Sequence, residues 1–476
     1  MLSPRDLERN AGYSAAARGE VGCEKMGAPR SDDRHPRDRL KRQLSLQDAT
    51  FLVVASVVGS GIFLTPGAIA DRLPHAGLIF AVWVVGGLLS LAGALANAEL
   101  GAMYPRAGGD YVYLREAFHP IAGFLVGWLS FFAIFAGTIA TLATGFAAGV
   151  GAFFDLDAPF VLGIAVLTIV ATSALNHVGV RWGALANNIT GYVKVVALLS
   201  LGVVAPLTGK GSVENLRPLV EGIASAAPPL AFALALSPVL FSFLGWNASI
   251  YVASEIRKPG RNLPLSLFVG LAICTAVYLV MNLVYLYALP VAELRQVTNA
   301  GEAAAEVLFG SLGGSLVAGF VLASILGTLN AHVLLGPRIA YAMALDGLFF
   351  SGVDRVHAGY RTPAVAIWVQ AGVAIALVLM LRTFPNALDY TIFAILLATI
   401  ADTAALYALR RRQADRPRPY RAWGYPWVPA VYIAANLVIA GSLLWFRSRE
   451  SLISLSVLLA GVPFYLLFAA RQRRDG

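Results

Sequence analysis

The sequence predicts an all-α membrane protein of twelve transmembrane helices, and three observations carry that prediction. Of its 476 residues, 58% are hydrophobic and only 13% charged, whereas soluble domains carry roughly 25% charged residues. Apolar stretches of about 20 residues, long enough to cross the hydrocarbon of a bilayer, recur along the chain. Two of these stretches carry glycine and small polar residues at their middles, where an unbroken spanning helix has no use for them.

The spans are expected at roughly 48–72, 77–102, 121–150, 158–175, 182–207, 229–254, 264–289, 313–344, 363–381, 386–409, 428–446 and 451–470. The first contains Ser56-Val57-Val58-Gly59-Ser60-Gly61-Ile62-Phe63. Glycine costs about 1 kcal/mol against alanine in a helix interior, and backbone freed inside hydrocarbon is tolerated only where it lines a cavity or is covered by protein. A break at Gly59 to Gly61 places a polar spot near the membrane centre. The half-helix after it aims N–H groups at an anion such as a carboxylate, and the carbonyls before it, around Val57, accept from an ammonium. That pairing suits an α-amino acid zwitterion. The alternative reading is close helix packing through small residues.

Span two ends in a Gly- and Pro-rich loop, Gly101 to Tyr111, with Glu99 expected to meet Arg106 or a basic loop. In span three, Gly127, Gly137, Gly145, Thr138, Thr141 and Thr144 are expected to permit tight helix contacts. Span five carries Lys194 about twelve residues inside its apolar stretch. A lysine at mid-membrane costs about 2.5–3.5 kcal/mol on insertion scales. It is expected to be a fixed cation or a proton carrier pointing at the break in span one, where a coupling sodium would otherwise be needed; the alternative is a lysine snorkelling to the interface.

Span six repeats the anomaly in Phe241-Ser242-Phe243-Leu244-Gly245-Trp246-Asn247, with Pro238 just upstream. A second interrupted helix opening a second group of five spans points to an inverted-repeat transporter with a midplane site. The expected organisation is a disordered cytoplasmic tail over 1–43, a first five-helix repeat over 44–210, a second over 225–412, helices eleven and twelve over 425–470, and a cytoplasmic tail over 471–476. In span eight His332 is expected to be hydrogen-bonded structure rather than a proton relay, and Arg338 an ion-pair partner; in span ten Asp402 is expected to pair with a basic neighbour, Arg410 being eight residues on, the alternative being a protonated carboxyl.

A net charge of +9 does not point to nucleic acid here, because the charge is distributed by side. Ten Lys/Arg in the N-terminal tail, then Arg257, Lys258 and Arg261, the run from Arg410 to Arg421, and Arg471, Arg473 and Arg474 fall on one face. The other holds Arg72, Lys210, Arg217, Arg295, Arg382, Arg447 and Arg449. The positive-inside rule then puts both termini in the cytoplasm, for a multi-pass protein of the cell membrane. Cys23 and Cys274 are too far apart to form a structural disulfide, and the N-terminal stretch lacks the apolar core of a signal peptide. No His-x-x-x-His, paired catalytic acids or serine-base constellation lies within the spans, which argues against an enzyme. No acidic ring or filter-like carbonyl repeat argues for a channel. No cofactor motif is present.

Several ordered stretches resemble the amino acid–polyamine–organocation (APC) superfamily, and within it the amino acid permeases of the L-type (LAT) branch. They are Val58-Gly59-Ser60-Gly61-Ile62-Phe63, Glu99-Leu100 with Tyr104 to Leu114, Gly245-Trp246-Asn247 followed by Ser254-Glu255-Ile256 and Pro259 to Pro264, and Pro337-Arg338 with Tyr341-Ala342-Met343 and Asp346 to Phe350. The resemblance implies a LeuT-type 5+5 inverted repeat plus two C-terminal helices, working by alternating access. It implies substrate binding at Val57, Gly59, Ser60, Gly61, Phe241, Ser242, Phe243 and Leu244, with the carboxylate on the backbone of Gly59 to Gly61 and the amine on carbonyls of Val57, Phe241 and Leu244. Phe241 would double as the aromatic gate, and Lys194 would replace the second sodium of sodium-coupled relatives. The implied function is sodium-independent amino acid transport, as proton symport or exchange, with transport of polyamines or other organic amines as the alternative. Spans one, three, six and eight contain no mid-span Asp or Glu, which favours a neutral zwitterion. Leu244 stands where family members often have a small residue, so no side-chain preference is carried over. The loop from Gly151 to Ala158 lacks the cysteine that links heteromeric animal members to a glycoprotein subunit, so the chain is expected to work alone, as a monomer.

Overall fold

A computed structural model describes residues 40–297, 299–382, 384–446 and 448–475. The expected disorder of the tail, and Cys23, lie outside the described residues up to 39. Residues 40–43, assigned to that tail on sequence, are instead packed: Leu40 is buried, and Gln43 and Leu44 donate their N–H groups to Glu255 O at 2.9 Å.

Among the described residues the regular structure is helical, apart from a single bridge between Leu44 and Ile256. Among the described residues, eleven helices are long and apolar enough to cross a membrane, from Leu46–Leu64 to Ser451–Gln472. Twelve were expected. The missing one is span six, which by length is only the 14-residue helix Pro229–Ser242 because a turn cuts it before it reaches spanning length.

The first helix, Leu46–Val57, starts on a capping box in which Ser45 Oγ accepts from Asp48 N–H and Asp48 Oδ2 accepts from Ser45 N–H. It stops at Val58, bends through Ser60, and resumes as Gly61–Leu64 and Pro66–Arg72. The third span is one long rod, Pro120–Phe154, with a π-helical segment, Ser130–Phe135, in its middle. In the apolar 18-residue stretch of the first and of the third span 83% of the residues are buried, against 22% in Val180–Leu207 and 17% in Ser451–Gln472. The former therefore make the core, while the latter turn apolar side chains such as Val203, Leu207 and Leu459 outward, as lipid-facing helices must.

Three helices support the first break. Pro259–Ala288 packs against Leu46–Val57 and Ala76–Met103, and Val180–Leu207 packs against both Leu46–Val57 and Ser311–Leu335. These contacts carry Tyr278, Lys194 and Thr328 to one place.

Candidate functional site

The two interrupted helices meet at their breaks. Each break has the pattern serine, two apolar residues, glycine: Ser56 to Gly59 and Ser242 to Gly245. The contacts are reciprocal. A Cβ added to Gly245 would sit 2.8 Å from Ser56 Cβ and 3.0 Å from Ser56 O; one added to Gly61 would sit 2.7 Å from Ser242 Cα. Only glycine lets the backbones approach this closely, and Gly245 also has φ +93°, a conformation that side chains disfavour.

Breaking the first helix leaves backbone groups to be satisfied. Val58 O accepts from Lys194 Nζ at 2.7 Å, Ser324 Oγ at 3.3 Å and Thr328 Oγ1 at 3.2 Å. Lys194 Nζ also donates to Thr328 Oγ1 at 2.9 Å and Ala55 O at 3.4 Å. The lysine is 1% exposed, so it does not snorkel. The Tyr278 hydroxyl stands 2.8 Å from Val57 O and 2.7 Å from Ser242 O, joining the last turns of both broken helices. On the far side of the break, the N–H groups of Ser60, Gly61 and Ile62 have no protein acceptor among the described residues.

Ser60, Gly61 and Thr328 border a cavity with about 90 Å³ open to the centres of water molecules, whereas Ile62 and Lys194 do not line it. One water needs roughly 10–15 Å³ on that measure, so the space takes a ligand of several non-hydrogen atoms. Ser56, Val57, Gly59, Ser60, Gly61, Phe241, Ser242 and Leu244 all line it. Phe243, placed in the site on sequence, does not; it is fully buried between Trp83 and Tyr278. Val57 O already faces two donors, Gly59 N–H and Tyr278 O–H, and so is occupied where an amine was expected. Phe241 O accepts from Leu244 N–H at 3.1 Å and also faces Phe243 N–H, whereas Leu244 O has no donor among the described residues. Thr138 and Thr141 line the cavity, although each hydroxyl donates back to its own helix.

Other charged residues resolve into partners, not all as expected. Glu99 meets a basic stretch but not Arg106: its carboxylate accepts from Arg410 at 2.6 Å, Arg418 at 3.1 Å and Ala422 N–H at 2.7 Å. Arg106 pairs with Glu116 at 3.4 Å. Asp402 does not pair with Arg410, because eight residues along a helix is about 12 Å and Glu99 reaches the guanidinium from another span. Arg338 and Glu255 form an ion pair at 2.9 Å, each 1% exposed, and His332 Nδ1 lies 2.8 Å from Thr328 O. Among the described residues no group of three or more His, Cys, Asp or Glu side chains is arranged to hold a metal.

Sequence reasoning did not single out Thr328, Ser324, Tyr278, Asp110 or Tyr251. Each is an ordinary residue on an apolar helix or in a loop, and only the helix packing brings it to the breaks.

Comparison with known proteins identifies the family. The family described as amino acid permease matches residues 44–466. The serine/threonine exchanger SteT of Bacillus subtilis is 31% identical over 90% of this chain and 96% of its own. The b(0,+)-type amino acid transporter 1 of Mus musculus is 27% identical over 90% and 88%, and the large neutral amino acids transporter small subunit 2 of Homo sapiens is 28% identical over 90% and 80%. These relatives are transporters, not enzymes. With a match over nearly all of its helical body, this chain belongs to the amino acid permease family of the APC superfamily and is a multi-pass membrane transporter of amino acids.

Proposed function

We propose that the chain moves neutral, zwitterionic amino acids across the cell membrane by alternating access, without sodium, as exchange or proton symport. The observation that carries the reading is the first break: free N–H groups at Ser60 and Gly61 facing the cavity on one side and the Lys194 ammonium fixed on Val58 O on the other. The N–H groups suit a carboxylate, and Leu244 O suits the ammonium of the same molecule. The ammonium of Lys194 stands at a carbonyl that a coupling cation would otherwise satisfy. Phe241, half-buried at the cavity wall, serves as the gate.

The twelve spans divide into repeats over 44–210 and 225–412 with two helices after them, both termini on the cytoplasmic side, and the chain acts as a monomer without a disulfide-linked subunit. Relatives named for serine and threonine exchange and for large neutral amino acids support a neutral substrate. One observation favours a second reading, transport of a cationic amine: the carboxyl-bearing Asp110 lines the cavity.

Purified protein in liposomes tests both. Uptake of a radiolabelled neutral amino acid is expected to persist when choline replaces sodium and to accelerate when the lumen is loaded with unlabelled amino acid or when a proton gradient is imposed. No uptake across a panel of amino acids and amines, or a strict sodium requirement, overturns the proposal. Competition by polyamines but not by neutral amino acids would establish the second reading.

A further inference from the structure

Among the described residues two carboxyl groups, one of them at the cavity wall, are buried with no cation beside them. Asp110 opens the helix Asp110–Ala117 and is 1% exposed; Asp402 lies within Phe384–Arg412 and is 0% exposed. The helices that carry them pack against each other, and each carboxyl is an electrostatic neighbour of the other. Asp110 Oδ2 accepts from Tyr251 O–H at 2.6 Å. Asp110 Oδ1 and both oxygens of Asp402 have no donor among the described residues, and the same lack of partners holds for both amide atoms of Asn97 and for the Tyr113 hydroxyl. Asn97 stands beside Asp402, fully buried, with its polar end unused.

The groups facing the pair are Tyr113, Tyr251 and Tyr432, none of them a cation. The nearby cations are engaged elsewhere: Arg410 and Arg418 on Glu99, and Lys194 on Val58 O and Thr328. His332, across the cavity, faces Thr328 O. Two adjacent like charges, buried and without a counter-ion, do not both ionise.

We propose that Asp110 and Asp402 form a proton-binding carboxyl pair at the cavity wall, a titratable site separate from Lys194. Asp110 lines the cavity together with Asn247 and Tyr251. Loss of the pair's proton therefore puts a second negative charge next to bound substrate, and the site's affinity for that substrate depends on pH. Burial also holds the Asp110 carboxyl above its ordinary range. Stability from a group whose folded value is raised is fully present below its unfolded value and is lost as pH rises through the folded one.

The test uses the full chain in detergent and needs no transport, so its failure is separate from failure of the transport mode proposed above. The thermal midpoint of the wild-type protein is expected to fall as pH rises through the pair's ionisation, and Asp402→Asn, which mimics the protonated partner, is expected to remove that step. Superimposable pH profiles overturn the proposal. A midpoint raised by sodium over choline at alkaline pH in the wild type, but not in the variant, also overturns it, in favour of a metal cation. Should Asp402→Asn not fold, the wild type alone decides: a protonated-carboxyl infrared band at neutral pH that vanishes on alkalinisation upholds the pair, and its absence refutes it.

Discussion

The two helix breaks share a sequence pattern and a meeting point, yet they are stabilised differently. The first passes from Val58 to Ser60 without a positive φ, and its exposed carbonyl is satisfied from outside by Lys194, Ser324 and Thr328, contributed by two other spans. The second closes on itself. Gly245 adopts φ +93°, and the turn supplies its own bonds, Leu244 N–H to Phe241 O and Ala248 N–H to Gly245 O. A break covered by a distant charge is sensitive to residues far away in sequence, whereas a break covered by a local turn is sensitive to its own glycine.

That contrast can be broken by substitution, and the largest effect is expected at Lys194. Lys194→Ala leaves Val58 O without its charged donor; hydrogen bonds to charged groups contribute about 1.5–3 kcal/mol, so liposome uptake should fall roughly 10- to 150-fold by that figure. Uptake in Lys194→Ala within twofold of wild type would mean that the ammonium does not hold the break. Gly245→Ala comes next. It forces a side chain into a backbone conformation costing about 1–3 kcal/mol and against the Ser56 main chain, so less folded protein should survive heating in detergent. Tyr278→Phe removes one hydroxyl between Val57 O and Ser242 O, worth about 0.5–1.5 kcal/mol, and should slow uptake a fewfold while lowering thermal stability modestly.

The smallest expected effect, at Gly59, sharpens the comparison within the first break when set beside a large one at Gly61. A Cβ at Gly59 would meet only the Thr328 side chain, at 3.3 Å, whereas one at Gly61 would meet the Ser242 backbone at 2.7 Å. Gly59→Ala should therefore retain most uptake and Gly61→Ala little. Equal activities in the two variants would show that the backbones do not interlock at Gly61.

Both breaks were legible in the sequence because glycine and serine in the middle of an apolar run contradict a continuous spanning helix. Lys194 was legible for the same reason: a lone charge far from either interface needs a partner, and a broken helix offers one. What stayed hidden depends on rotation about helix axes. Phe243 sits two residues from Phe241, which on a helix turns it to another face, towards Trp83 and Tyr278. Asp402 and Arg410 are close in sequence and seemed natural partners, but Glu99 takes the arginine and Asp402 is buried with no hydrogen-bond donor among the described residues. The π-helical segment Ser130–Phe135, which brings Ile134 and Phe135 to the cavity, leaves no trace in composition.

The bridge at Leu44 has a mechanical consequence. The start of the first broken helix is fastened to the end of the second: Leu44 N–H donates to Glu255 O and Arg257 N–H to Leu44 O, each at 2.9 Å. The carboxylate of Glu255 is in turn gripped by Arg338. With three segments knotted at one end and the two breaks joined through the Tyr278 hydroxyl at the other, the two broken helices are tied to each other at both levels.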